Sequence, residues 1–105
     1  MPSGSRTLGL STAAILQAIR AGRRYGLDIM DATDLPSGAV YPALGRLERR
    51  GFVRGKWEPE SVGRREGRPR RRYYEITKDG TSALHHALGR FAALGQVVAP
   101  ETERA

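Results

Sequence analysis

Leu35-Pro36-Ser37-Gly38-Ala39-Val40-Tyr41-Pro42-Ala43-Leu44-Gly45-Arg46-Leu47-Glu48-Arg49-Arg50-Gly51 is the stretch whose reading decides the fold. Val40, Leu44 and Leu47 recur at the spacing of one helical face, which predicts a helix over about Ser37 to Arg50. Pro36 disfavours helical geometry in the residue before it, and Gly51 supplies a C-terminal stop. With the apolar stripe turned inward, Ser37, Gly38, Tyr41, Pro42, Gly45, Arg46 and Arg49 face outward. Small residues at the N-terminal end permit close approach to another surface, and a helix N-terminus favours phosphate. Pro42 has no amide hydrogen and lies several residues past the cap, so a late start or a kink is expected there.

Downstream, Phe52 to Glu58 reads as a strand, with Val53 and Trp57 among its apolar residues. Pro59 to Pro69 is rich in Gly, Pro and Arg and reads as a loop. Arg71 to Ile76 carries Tyr73, Tyr74 and Ile76, residue types that suit a strand, so the two strands form a hairpin with a long basic tip. Tyr73 and Tyr74 point to opposite faces, which allows at most one of them in the core. Thr77 caps a last helix over about Lys78 to Val98, with Pro100 just beyond it.

Upstream, a short helix over about Gly26 to Thr33 offers Leu27, Ile29 and Met30 to a core. Before it, a helix starts at Ser11 or Thr12 and runs to about Ala21, with Ile15, Leu16 and Ile19 on one face and Gly22 as its stop. The order is helix, helix, helix, strand, basic loop, strand, helix. The fold class is therefore mainly α with a small β-hairpin: a winged helix-turn-helix with a C-terminal helix appended. The expected divisions are a flexible arm over 1–10, a winged body over 11–76, the last helix over 77–99 and a tail over 100–105.

The net charge of +7 is not spread along the chain. Between Arg46 and Arg72 basic residues outnumber acidic ones by seven, and the remainder is balanced. A contiguous basic stretch over a helix end and a hairpin tip points to a polyanion, with Arg64, Arg65, Arg68 and Arg70 as candidate phosphate contacts. Arg71 and Arg72 are read as facing solvent along the strand. The last helix carries Leu84, Ala87, Leu88, Phe91, Leu94 and Val98 at helical spacing. This stripe is long for docking on so small a body, so it is expected to form a homodimer interface.

With no cysteine in 105 residues, disulfides, thiolate metal sites and cysteine nucleophiles are excluded. His85 and His86 are adjacent and diverge by about 100° on a helix, so solvent or interface positions are expected rather than a metal site. No cofactor is expected. No activated nucleophile or paired carboxylates are evident, and the chain is not expected to be an enzyme. Trp57 is read as a packing residue. No signal-peptide pattern and no membrane-spanning apolar run is seen, and the expected location is the cytoplasm.

The segment Leu35 to Glu48, continued by Gly51-Phe52-Val53, closely resembles the recognition-helix segment of the PadR family of bacterial regulators. Arg72-Tyr73-Tyr74-Glu75-Ile76-Thr77-Lys78-Asp79-Gly80 is similar to that family's Lys-Tyr-Tyr-x-Leu-Thr-x-x-Gly run, and Trp57 stands where the family often has tryptophan. The resemblance covers about Ile15 to Leu88. It implies a repressor with a winged DNA-binding body and a C-terminal dimerisation helix, in which Tyr41 and the start of the third helix contact DNA and the wing contacts its backbone. Gly26-Leu27-Asp28-Ile29 departs from the family's Gly-Tyr-Glu-Ile. The partners so implied are double-stranded DNA on an inverted repeat, a second copy of the chain, and a small aromatic or apolar effector. A winged helix used for protein interaction or RNA binding is the alternative.

Overall fold

The helix quoted first forms over Ser37–Arg49 (α3) in a computed structural model that describes residues 7–98, with side chains through residue 95. It begins at Ser37 with Pro36 as N-cap, so the late start expected from Pro42 does not occur. Pro42 lies inside the helix, where it has no amide hydrogen to donate toward the Gly38 carbonyl. Val40, Ala43, Leu44 and Leu47 are buried along one face. Gly51 ends the element at φ +77, a conformation a side chain would strain.

Preceding it are α1 (Leu10–Arg20) and α2 (Gly26–Thr33); following it are β1 (Val53–Trp57), α4 (Glu60–Glu66), β2 (Arg72–Ile76) and α5 (Lys78–Val98). Two of these differ from expectation. Helix α1 starts at Leu10 with Gly9 in the cap position, so neither Ser11 nor Thr12 caps it. The loop expected over Pro59 to Pro69 contains a two-turn helix, α4, closed by Gly67 in the left-handed conformation. Seven residues without an apolar stripe give no helical periodicity to read, and what stabilises α4 comes from residues outside it.

β1 and β2 pair antiparallel, with Arg54 opposite Glu75 and Trp57 opposite Arg72. The Tyr74 amide donates to the Arg24 carbonyl at 2.8 Å, so the segment between α1 and α2 lies along the free edge of β2. Arg24 adds an ion pair to Glu75 at 3.1 Å on the same edge. Tyr74 is buried and Tyr73 is not, as the alternation of a strand requires.

Ile15, Leu16 and Ile19 of α1, Ile29 of α2, the α3 stripe, Val53, Tyr74, and Leu84 and Ala87 of α5 make one core. Leu8, assigned to the N-terminal arm, is buried in it as well, and its carbonyl accepts a bond from the Arg90 guanidinium at 2.6 Å. Leu27, offered to the core by the sequence, is 65% exposed; Ile29 and Met30 alone turn inward from α2. Residues 1–6 of the expected arm and the expected tail over 100–105 lie outside the described residues.

Thr77 caps α5, its hydroxyl accepting from the Gly80 amide at 3.0 Å. The same hydroxyl donates to the Gly51 carbonyl at 2.6 Å, and the Thr77 amide donates to the Phe52 carbonyl at 3.0 Å. The start of α5 is thus fastened to the end of α3. Gly80 makes the approach possible, because a methyl group there would collide with the Phe52 carbonyl oxygen.

Candidate nucleic-acid interface

The outward face of α3 presents Ser37, Gly38, Tyr41, Pro42, Arg46 and Arg49, all exposed. Neither Arg46 nor Arg49 forms an ion pair among the described residues, and the Arg49 guanidinium lies back over Gly45. Tyr41 is 49% exposed because one side of its ring covers Gly26 at the start of α2. Its position is therefore set by packing while the other side stays open. An aromatic hydroxyl and two cations on one rod can reach base edges and phosphates in a groove.

The wing is joined to this rod by an ion pair. Arg72 at the start of β2 donates to Glu48 in the last turn of α3 at 2.5 Å, so it does not simply face solvent as the sequence suggested. The Arg71 guanidinium lies 4.0 Å from the centroid of the Tyr25 ring. Trp57 also departs from expectation. It is 50% exposed and flanked by the guanidinium groups of Arg70 at 4.7 Å and Arg72 at 5.4 Å, rather than packed in a core. Cation–π contacts at exposed positions contribute about 0.5–1 kcal/mol each, enough to orient side chains.

The four wing arginines named by the sequence separate into three kinds. Arg64 and Arg65 project from α4 and are exposed, with Arg64 loosely paired to Glu60 at 3.8 Å. Arg70 is exposed at its stacking place on Trp57. Arg68 is different: its guanidinium grips the Glu58 carboxylate with both nitrogens, at 2.7 and 3.2 Å. Arg68, expected as a phosphate contact, is thus already engaged within the chain, with its side chain 24% exposed. Glu58 accepts further bonds from the Arg71 amide at 3.0 Å and the Tyr73 hydroxyl at 3.0 Å. The Arg68 bond first, then those from Arg71 and Tyr73, overcome desolvation and hold the Glu58 carboxyl down to about 2, against 4.5 for an ordinary glutamate. Glu58 was not singled out by the sequence, which offers it as one of several acids in a basic hairpin.

The stripe on α5 also divides. Leu84 and Ala87 are buried within the chain's own core, so they are not available to a partner, and Phe91 packs against the same core. Leu88 and Leu94 are exposed. The Val98 side chain lies outside the described residues. No helix among the described residues is long and apolar enough to cross a membrane, and none of their His, Cys, Asp and Glu side chains cluster as a metal site.

Three helices, a two-stranded wing and a basic face on the third helix define a winged helix-turn-helix protein. The chain belongs to the transcriptional regulator PadR-like family, whose profile matches residues 15–86. Among solved structures it is similar to a PadR family transcription regulator from Clostridium difficile, with 21% identity, a TM-score of 0.75 and coverage of 90% of this chain and 99% of that one. A PadR-like transcription factor from Bacteroides fragilis aligns at 24% identity and a TM-score of 0.69, covering 83% of this chain and 84% of the other. BpsR of Bordetella bronchiseptica, described as regulated in DNA binding by 6-hydroxynicotinic acid, aligns at 19% identity and a TM-score of 0.72, covering 94% and 69%. At these identities the likeness is one of fold. No curated protein matches the chain.

Proposed function

We propose that the chain is a sequence-specific repressor that binds an inverted-repeat operator in duplex DNA as a homodimer in the cytoplasm. The observation that carries this reading is the placement of exposed cations on two elements fastened to one another. Arg46 and Arg49 stand on α3, Arg64 and Arg65 on the wing, and the Glu48–Arg72 pair ties the two. In this arrangement α3 enters the major groove with Ser37, Gly38, Tyr41 and Pro42 leading, and the wing tip lies along the backbone. Leu88 and Leu94 meet their equivalents, or neighbouring apolar residues, on a second copy of the chain. Selection of duplexes from a random pool tests the reading: a shared inverted repeat is expected, and recovery of no common sequence would refute it.

Release by a small molecule is a second reading, supported by a cleft of about 770 Å³ between the end of α3 and α5. Arg50, Phe52, Ser82, Ala83, His86 and Arg90 line it. The Arg50 guanidinium stacks on Phe52 at 4.9 Å, and its Nη2 is buried with no hydrogen-bond partner among the described residues. A small aromatic molecule entering there would touch the residue that caps α3. Thermal shift with aromatic compounds checks this: stabilisation together with weaker duplex binding is expected, and neither change would argue for a regulator without an effector.

A further inference from the structure

The tip of the wing is too poor in apolar residues to fold by burial, yet it contains a helix. What holds α4 is a set of polar contacts converging on one carboxylate. Glu58, at the end of β1, is 9% exposed and receives four bonds: two from the Arg68 guanidinium, one from the Arg71 amide and one from the Tyr73 hydroxyl. Its own amide donates to the Arg71 carbonyl at 2.8 Å, which continues the β ladder up to the helix. On the far side of α4, the Arg68 amide donates to the Gly63 carbonyl at 3.0 Å, and Gly63 has no room for a side chain against the backbone of Arg68 and Arg70. The segments before and after α4 are therefore brought together at Glu58, by its ion pair with Arg68 and by its bonds with Arg71 and Tyr73. That pair is connected to the body, since the Tyr73 ring meets Tyr25 edge to face at 5.6 Å, and Tyr25 is the N-cap of α2.

We propose that Glu58 is a positioning residue for DNA binding: it anchors Arg68 so that the wing tip is preformed and Arg64, Arg65 and Arg70 are presented to the phosphate backbone. Glu58 makes no contact with DNA, and Arg68 serves the carboxylate rather than a phosphate. The inference rests on the reading of the wing as a backbone contact. An unpaired loop with the same composition would lose conformational freedom on meeting DNA, whereas an already folded tip does not. The bidentate geometry suits the task, because a planar guanidinium on a carboxylate fixes orientation as well as distance.

Removing an acid from a basic wing should strengthen binding to a polyanion if charge alone matters. Loss of the anchor should weaken it. The test is duplex affinity of the full chain across a salt series for wild type, Glu58→Gln, Arg68→Gln and the double variant, with amide exchange of 60–70 measured on each without DNA. For Glu58→Gln, affinity is expected to fall roughly tenfold, with a salt slope shallower by about two as the Arg64 and Arg65 contacts are lost. Arg68→Gln should match it, and the double variant should be no weaker than either single one. Rapid exchange over 60–70 should appear in all three variants, while the core amides stay protected.

Tighter binding by Glu58→Gln with an unaltered or steeper slope would overturn the inference. So would additive losses in the double variant, since Arg68 would then contact DNA independently of Glu58. If the wild-type chain bound no duplex, the gene-regulator reading would fall, and the exchange measurements would still decide the anchor: unchanged protection over 60–70 in Glu58→Gln would refute it.

Discussion

Gly26 and Tyr41 meet at the junction of α2 and α3, and the phenol ring occupies the space a methyl group would need. Gly26→Ala is expected to destabilise the chain by about 1–3 kcal/mol, the usual range for forcing atoms into filled space, and to displace Tyr41. Thermal unfolding together with duplex affinity checks both effects. Glu58 provides a pH dependence of opposite locality. Its folded carboxyl titrates at about 2 and an ordinary glutamate at 4.5, so its contribution is fully present above 4.5 and fades as the pH falls toward 2. Trp57 is the only tryptophan and lies in the adjacent strand, so its fluorescence reports on the wing. A fluorescence change that sets in below about pH 4.5 and grows as the pH falls toward 2 is expected in the wild type and should be absent in Glu58→Gln.

At the scale of the elements, α3 and α5 carry their boundaries in local chemistry. Pro36 and Gly51 bracket α3, and Thr77 caps α5 in the way its position predicts. Helix α4 could not be read, because its seven residues carry no apolar stripe and the side-chain bonds beside it join residues 58, 68, 71 and 73 outside it. Leu8 was hidden for a similar reason: Leu8 and Leu10 lie two apart in a Gly- and Ser-rich run with no helical periodicity, yet Leu8 is buried and Leu10 is exposed. Leu27 misled in the other direction, since an apolar residue on a short helix has no obligation to turn inward. Within the site, the α3 residues were all legible as an outward face, whereas the division of labour among the wing arginines depended on Glu58. Thr77→Ala removes both a cap and the link to Gly51, and should cost about 1 kcal/mol or somewhat more in chemical denaturation. Leu44→Ala, in the centre of the buried stripe, should cost about 2–5 kcal/mol by the same measurement.

At the scale of the whole molecule, the apolar stripe of α5 divides along its length. Its first part, through Leu84 and Ala87, fixes the helix to the body; Leu88 and Leu94 remain outside, the latter 58% exposed. Leu94→Glu is therefore expected to leave thermal unfolding of the body largely unchanged while shifting the chain toward monomer in sedimentation. Two-fold symmetry would place half-site centres one helical turn apart, roughly 34–36 Å, or a multiple of it. Affinity for the selected duplexes across a salt series, compared between wild type, an α3 variant (Arg46→Ala with Arg49→Ala) and a wing variant (Arg64→Ala with Arg65→Ala), is the measurement that weighs most. If α3 and the wing share one DNA face, both variants bind more weakly, and each lost phosphate contact makes the log–log salt slope shallower by about 0.9. Unchanged affinity and slope in both variants would contradict a DNA reader built on these two elements.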